Sequence, residues 1–322
     1  MKSIKKICLA LAMIITLFSC QKEDYLQDIT PSTKRVCGTQ EVFERQLREK
    51  PELANKMSQI ETFTQNAILN KSQNRLVNGK IEIPVVVNVL YRTSTENISA
   101  AQIQSQIDVL NKDFNALNTD YNSVPTLFSN VKANVGITFV LDQVIRKSTT
   151  KTSWGTADAI KKTTKGGLNP TSPTTKLNLW VGTIGGGILG YAQFPGGSSA
   201  TDGVVIDPKY VGVYSNTSTS YPYNLGRTAT HEVGHWLNLR HIWGDTTCGT
   251  DLVTDTPSHN TANYGVPTYP HYSTCTGTPV EMTMNYMDYT DDRGMYMFSL
   301  GQKARINAIF ISGGVRFSFA QP

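Results

Sequence analysis

The sequence predicts an α+β protein in which a sheet backed by helices is followed by an irregular lower part. Three observations carry this. Ile81 to Tyr91 is an apolar, β-branched run that reads as a buried strand. Ile103, Ile107, Leu110, Phe114 and Leu117 then recur at helical spacing, one face of about five turns opened by Ser99. From residue 244 to 298 the chain is rich in Gly, Pro, Thr, Asp and Tyr, with little periodicity.

Taken in order, the chain begins with Lys2, Lys5 and Lys6 before an apolar stretch, Ile7 to Phe18, too short for a stable membrane span. This predicts an export signal over residues 1–20. Its end, Leu17-Phe18-Ser19-Cys20, resembles the bacterial lipoprotein cleavage box, in which Cys20 becomes the lipidated first residue. An ordinary signal peptide with an incidental cysteine is the plainer alternative. The protein is therefore expected to be exported, either secreted or held at the outer membrane or cell surface, with membrane contact only through Cys20. Residues 21–75 are polar, with helical stretches at Gln40 to Arg48 and Leu53 to Leu69. The change in character near residues 70–80 marks a boundary, with the main domain spanning 76–322. Further strands are predicted at Gly136 to Arg146, Lys176 to Thr183, Gly190 to Phe194 and Gly203 to Asp207. A helix is expected around Thr228 to Leu237, and Ser299 with Gln302 resembles a capping box opening a last helix to about Phe310.

With 322 residues, 39% hydrophobic and 17% charged, the chain is long and apolar enough for a proper core. Its net charge is +5, but no basic run interleaved with aromatics is present, so nucleic acid is not an implied partner. Beyond Cys8 and Cys20 there remain Cys37, Cys248 and Cys275, which in an oxidising compartment implies one pair and one left over.

His231-Glu232-Val233-Gly234-His235 matches the H-E-x-x-H metal motif. Residues four apart on a helix lie one above the other, so both imidazoles reach one metal. Glu232, one residue round, can act on a catalytic water without ligating. Zinc needs a third protein ligand and an open position, and His241 supplies it. For His241 to return to the site the chain must leave the helix after about residue 237, which calls for a left-handed residue. Asn238 stands there, the next-best choice after glycine.

His231 to His241, followed by Ile242-Trp243-Gly244-Asp245, resembles the metzincin zinc proteases and, within them, the pappalysin family. Asn285-Tyr286-Met287-Asp288-Tyr289 is similar to that family's Met-turn. The resemblance implies a twisted, mostly parallel five-stranded sheet with backing and active-site helices. It implies Met287 as an apolar floor and Tyr289 as a hydroxyl supporting the oxyanion. It further implies a zinc endopeptidase acting on protein or peptide substrates and made as a zymogen, with residues 21–75 as the pro-segment. A disulfide Cys248–Cys275 follows from the same likeness, while the family's second bridge falls on Val266 and Gly294. In Arg35-Val36-Cys37-Gly38-Thr39 the resemblance implies that Cys37 plugs the zinc, with Asn74-Arg75 as a cleavage site. Strand 190–194 is read either as the cleft's rim, pairing with substrate, or as an interior strand. Calcium is expected on Asp251, Thr254 and Thr256. Relatives preferring Arg or Lys after the scissile bond carry an acid where Arg293 stands, so the resemblance does not imply that preference here. The competing class is a surface binding lipoprotein on a retired protease scaffold, against which the complete set of ligands and Glu232 speaks.

Overall fold

The computed structural model describes residues 34–70, 81–213 and 222–320. The export signal, Cys20 and Asn74-Arg75 lie outside the described residues. In chain order the elements are α1 (Thr39–Glu49), α2 (Glu52–Leu69), β1 (Ile81–Tyr91), α3 (Ala100–Phe114), β2 (Lys132–Ala133), β3 (Ile137–Ser148), β4 (Leu177–Val181), β5 (Gly190–Ala192), β6 (Val204–Ile206), α4 (Arg227–Trp236), β7 (Phe298–Ser299) and α5 (Leu300–Ala308). No described helix is long and apolar enough to cross a membrane.

Five strands form one sheet in the order β3-β1-β4-β6-β5. All pairings are parallel except β5 with β6. A mostly parallel sheet must be covered on both faces, and here alternate residues of β1 serve the two sides. Ile83, Val85, Val87 and Val89 join Ile103, Ile107, Leu110 and Phe114 of α3 in the main core, which also takes in Val233 and Trp236 of α4. Leu90 faces the other way, toward Trp154, Ile160, Trp180, Tyr191 and Val42 of α1. This second core includes Val42 of the polar leader, residues 21–75, so α1 is packed against the sheet.

The structure departs from the sequence reading in two places. The α3 helix stops at Phe114, and Leu117 is 70% exposed. Ala116 adopts φ 54° and turns the chain out of the helix, so the fifth turn never forms. The two-residue pair β2–β7, which ties residue 133 to residue 298, was not predicted. The capping box is present as expected: Ser299 Oγ accepts from Gln302 N and the Gln302 side chain accepts from Ser299 N.

Candidate metal centre

The α4 helix carries His231, Glu232 and His235, all buried. It ends at Trp236, and Asn238 takes φ 74°, the left-handed exit that the spacing requires. The turned-back chain delivers His241. The three Nε2 atoms converge, at 3.2 Å for His231–His235 and 3.0 Å for His235–His241. Each Nδ1 faces an acceptor: Tyr286 O at 2.7 Å, Leu239 O at 2.8 Å and Asp245 Oδ1 at 2.5 Å respectively. Each Nδ1 therefore carries the proton, which leaves three Nε2 lone pairs pointing at one another. That arrangement is repulsive by itself and fits a cation between them. Burial, reinforced by the neighbouring imidazoles, lowers the His231 pKa well below its usual range and that of His235 to about 3. Neutral imidazole is the form that binds a metal.

Met287 lies directly beneath. A Cβ on Gly234 would sit 2.5 Å from Met287 Sδ, so only glycine lets the helix rest on this floor. Tyr289 packs its ring against His241, His231 and Trp243, with centroids 4.9, 5.7 and 4.7 Å away. Burial, then Cys37 and Glu232, pushes its phenol pKa up.

The leader closes the site. Cys37 joins the three histidines in a group whose ligand atoms all lie within 4.8 Å of one another. Burial and the Glu232 carboxylate push its thiol pKa up. Glu232 Oε2 accepts from Thr39 Oγ1 at 2.8 Å and from Cys37 Sγ at 3.4 Å. Burial raises Glu232 to about 7 against the pull of those two bonds. The β5 strand is the sheet's edge, not an interior strand, and its outer side is occupied by the leader: Leu189 N donates to Val36 O and Gly38 N to Gly190 O, each at 2.9 Å. The leader runs parallel to β5. Ala192 N donates to Thr39 Oγ1 at 2.8 Å.

Several residues here had no role in the sequence reading. Arg35 is buried, donating to Asp292 Oδ1 at 2.6 Å, to Thr228 Oγ1 at 3.2 Å and to Thr290 O at 3.3 Å, with its guanidinium over Tyr223. Arg293 instead points out, its side chain 76% exposed. The R-x-C-G-T run held the signal for Arg35 and Thr39, but nothing local to the motif marks Asp292 as the counterpart of Arg35.

Farther out, Cys248 and Cys275 form a disulfide. A Cβ built on Gly294 would lie 3.4 Å from Val266, so the two positions of the family's second bridge face each other. Asp251 is buried and accepts from Thr256 Oγ1 and Val253 N, while Thr254 is exposed. Burial raises Asp251 to about 6.

The comparisons agree with this geometry. A peptidase family model described as pregnancy-associated plasma protein-A matches residues 179–310. An extracellular metalloprotease of Pyricularia oryzae is 34% identical over 70% of this chain and 72% of its own length. Mature mirolysin of Tannerella forsythia, solved with a cleaved peptide, is 43% identical, with a TM-score of 0.71 over 75% of this chain and 96% of that one. A promirolysin variant of the same organism is 40% identical, with a TM-score of 0.78 over 89% and 97%. The chain is a metalloendopeptidase and belongs to the pappalysin family, with the metzincin fold.

Proposed function

We propose that the protein is a zinc-dependent endopeptidase, exported through residues 1–20, with residues 21–75 as an inhibitory pro-segment and 76–322 as the catalytic domain. The observation that carries this is the convergence of three Nδ1-anchored histidines beside Glu232, with the Cys37 thiol among ligand atoms that all lie within 4.8 Å of one another and could together hold a metal. Tetrahedral zinc at its usual bond length sets its nitrogen ligands about 3.3 Å apart, close to the spacing of the His231, His235 and His241 Nε2 atoms. Zinc bound there supplies a Lewis acid that polarises a scissile carbonyl and acidifies water.

Glu232 takes the proton of the attacking water and returns it to the leaving amine. Its place one residue round the helix from His231, buried beside the ligand atoms, puts the carboxylate where both halves of that task occur. The Tyr289 hydroxyl stabilises the oxyanion. An extended substrate pairs with the outer edge of β5, using the same backbone groups that the leader engages. The mature cleft takes a basic side chain into the pocket filled by Arg35, where Asp292 is the counter-ion. In the zymogen Cys37 holds the metal and Thr39 holds Glu232, so release of the leader frees the ligand position and the base together. Lipidation of Cys20 and calcium on Asp251, Thr254 and Thr256 complete the reading. For calcium, the buried Asp251 carboxylate beside the Thr256 hydroxyl is the supporting feature.

The test is casein digestion by the purified protein with and without a zinc chelator, with mass spectrometry of the new N-terminus. Glu232→Ala should retain zinc and lose cleavage by a factor of at least about 10²–10⁴. Full activity in that variant, or activity indifferent to the chelator, would remove Glu232 or zinc from the mechanism.

A further inference from the structure

The three histidines are not held alike. His231 and His235 give their Nδ1 protons to backbone carbonyls, whereas His241 gives its proton to a carboxylate, Asp245 Oδ1, at 2.5 Å. The His241 ring is also stacked on Trp243, with centroids 4.4 Å apart and planes within 8°. The turn that produces this contact is an uncommon one. Gly244 and Asp245 are consecutive left-handed residues, at φ 65° and 59°. A Cβ on Gly244 would meet Thr250 N at 2.4 Å, so the loop folds tightly back on itself. A non-glycine residue held left-handed is sparsely populated and persists where its surroundings demand it. Here the turn returns a mostly buried carboxylate, 15% exposed, to the ring four residues earlier.

We propose that Asp245 is a positioning residue of the metal centre, which fixes the tautomer and plane of His241 and makes it the most electron-rich of the three ligands. A charged acceptor strengthens the hydrogen bond beyond what a neutral carbonyl gives. It raises the donor strength of the opposite nitrogen, and such partners typically contribute 10- to 100-fold in metal affinity. The proposal rests on the zinc reading above.

The backbone at residue 245 allows a clean test. Asparagine and glycine both tolerate left-handed φ. D245N therefore keeps the turn and an acceptor oxygen but removes the charge, and D245G keeps the turn and removes the acceptor. Zinc affinity of the full chain is measured by competition with a chromogenic chelator, alongside melting of the zinc-free form. Zinc binding should weaken about 10-fold in D245N and about 100-fold in D245G. The zinc-free melting temperature of D245N should stay at the wild-type value. Affinities of both variants within twofold of wild type would overturn the proposal. So would a D245N chain whose zinc-free melting temperature falls while its zinc affinity is kept, since that marks a purely structural turn. Wild-type protein that binds no zinc would instead overturn the zinc reading itself.

Discussion

One oxygen of Asp292 accepts from the Arg35 guanidinium at 2.6 Å, and the other accepts from Leu225 N and Arg227 N at 2.8 and 3.2 Å. The same carboxylate thus holds the leader and the start of the active-site helix. When the leader departs, the carboxylate keeps its backbone donors and loses its cation. A substrate guanidinium restores the pair. Mature enzyme should therefore cleave before Arg, and less well before Lys, which cannot reproduce the fork or the stacking on Tyr223. Asp292→Asn keeps an acceptor for the helix and should lower kcat/KM on arginine peptides by about 2–4 kcal/mol, roughly 30- to 1,000-fold. Arg293→Ala, at an exposed position, should leave the profile unchanged. A peptide-library profile without basic preference would refute the assignment of this pocket. The histidines and Glu232 were legible because their geometry is written in local spacing. Asp292 was not, because its partner lies more than two hundred residues away, and Asp245 was not, because its meaning depends on a turn that no periodicity announces.

At the scale of elements, α4 is fastened to α3 through a buried polar contact. Thr230 Oγ1 donates to Asp113 Oδ2 at 2.7 Å, and Arg227 approaches Asp113 at 3.8 Å while pairing with Asp120. Burial dominates over Arg227 and raises Asp113 to about 6 from 3.8. The folded protein thus favours the protonated acid more than the unfolded chain does. The carboxyl costs stability once both states are ionised, and that cost develops as pH rises from about 4 through about 6. The shift corresponds to about 3 kcal/mol. Asp113→Asn carries no such charge, so the unfolding free energy of wild type relative to this variant should fall by up to that amount between pH 4 and 7. Urea unfolding of both chains at several pH values measures it, and a difference independent of pH would disprove the coupling. The sheet strands, α3 and α5 could be read from hydrophobic runs, period and capping, and α4 from the spacing of its metal motif. The end of α3 and the β2–β7 pair could not, since Ala116 has no turn signature and a two-residue ladder exists only because the tertiary fold brings its halves together.

At the scale of the whole molecule, the leader is held by far more than its cysteine. Arg45 of α1 reaches Asp158 at 2.5 Å, and Glu61 of α2 makes a two-pronged pair with Arg305 of α5 at 2.9 and 2.8 Å. Phe43 meets Phe194 edge-on, 5.2 Å between centroids, and Val42 enters the second core. None of these contacts involves residues 71–80, so a cut there severs the chain without undoing the docking. A nicked protein should stay largely inhibited until the leader dissociates or is degraded. The Asp158 and Arg305 side chains are almost fully buried, whereas Arg45 and Glu61 are partly solvated, so each pair is worth about 1–3 kcal/mol after allowing for screening. Arg45→Ala with Glu61→Ala should then speed release of the nicked leader by at least about 10-fold and shorten the lag before casein is cleaved. Because both changes lie in the segment that is removed, the fully processed enzyme must have wild-type kcat and KM. A lag equal to that of wild type would mean that these two ion pairs contribute nothing to the hold on the leader.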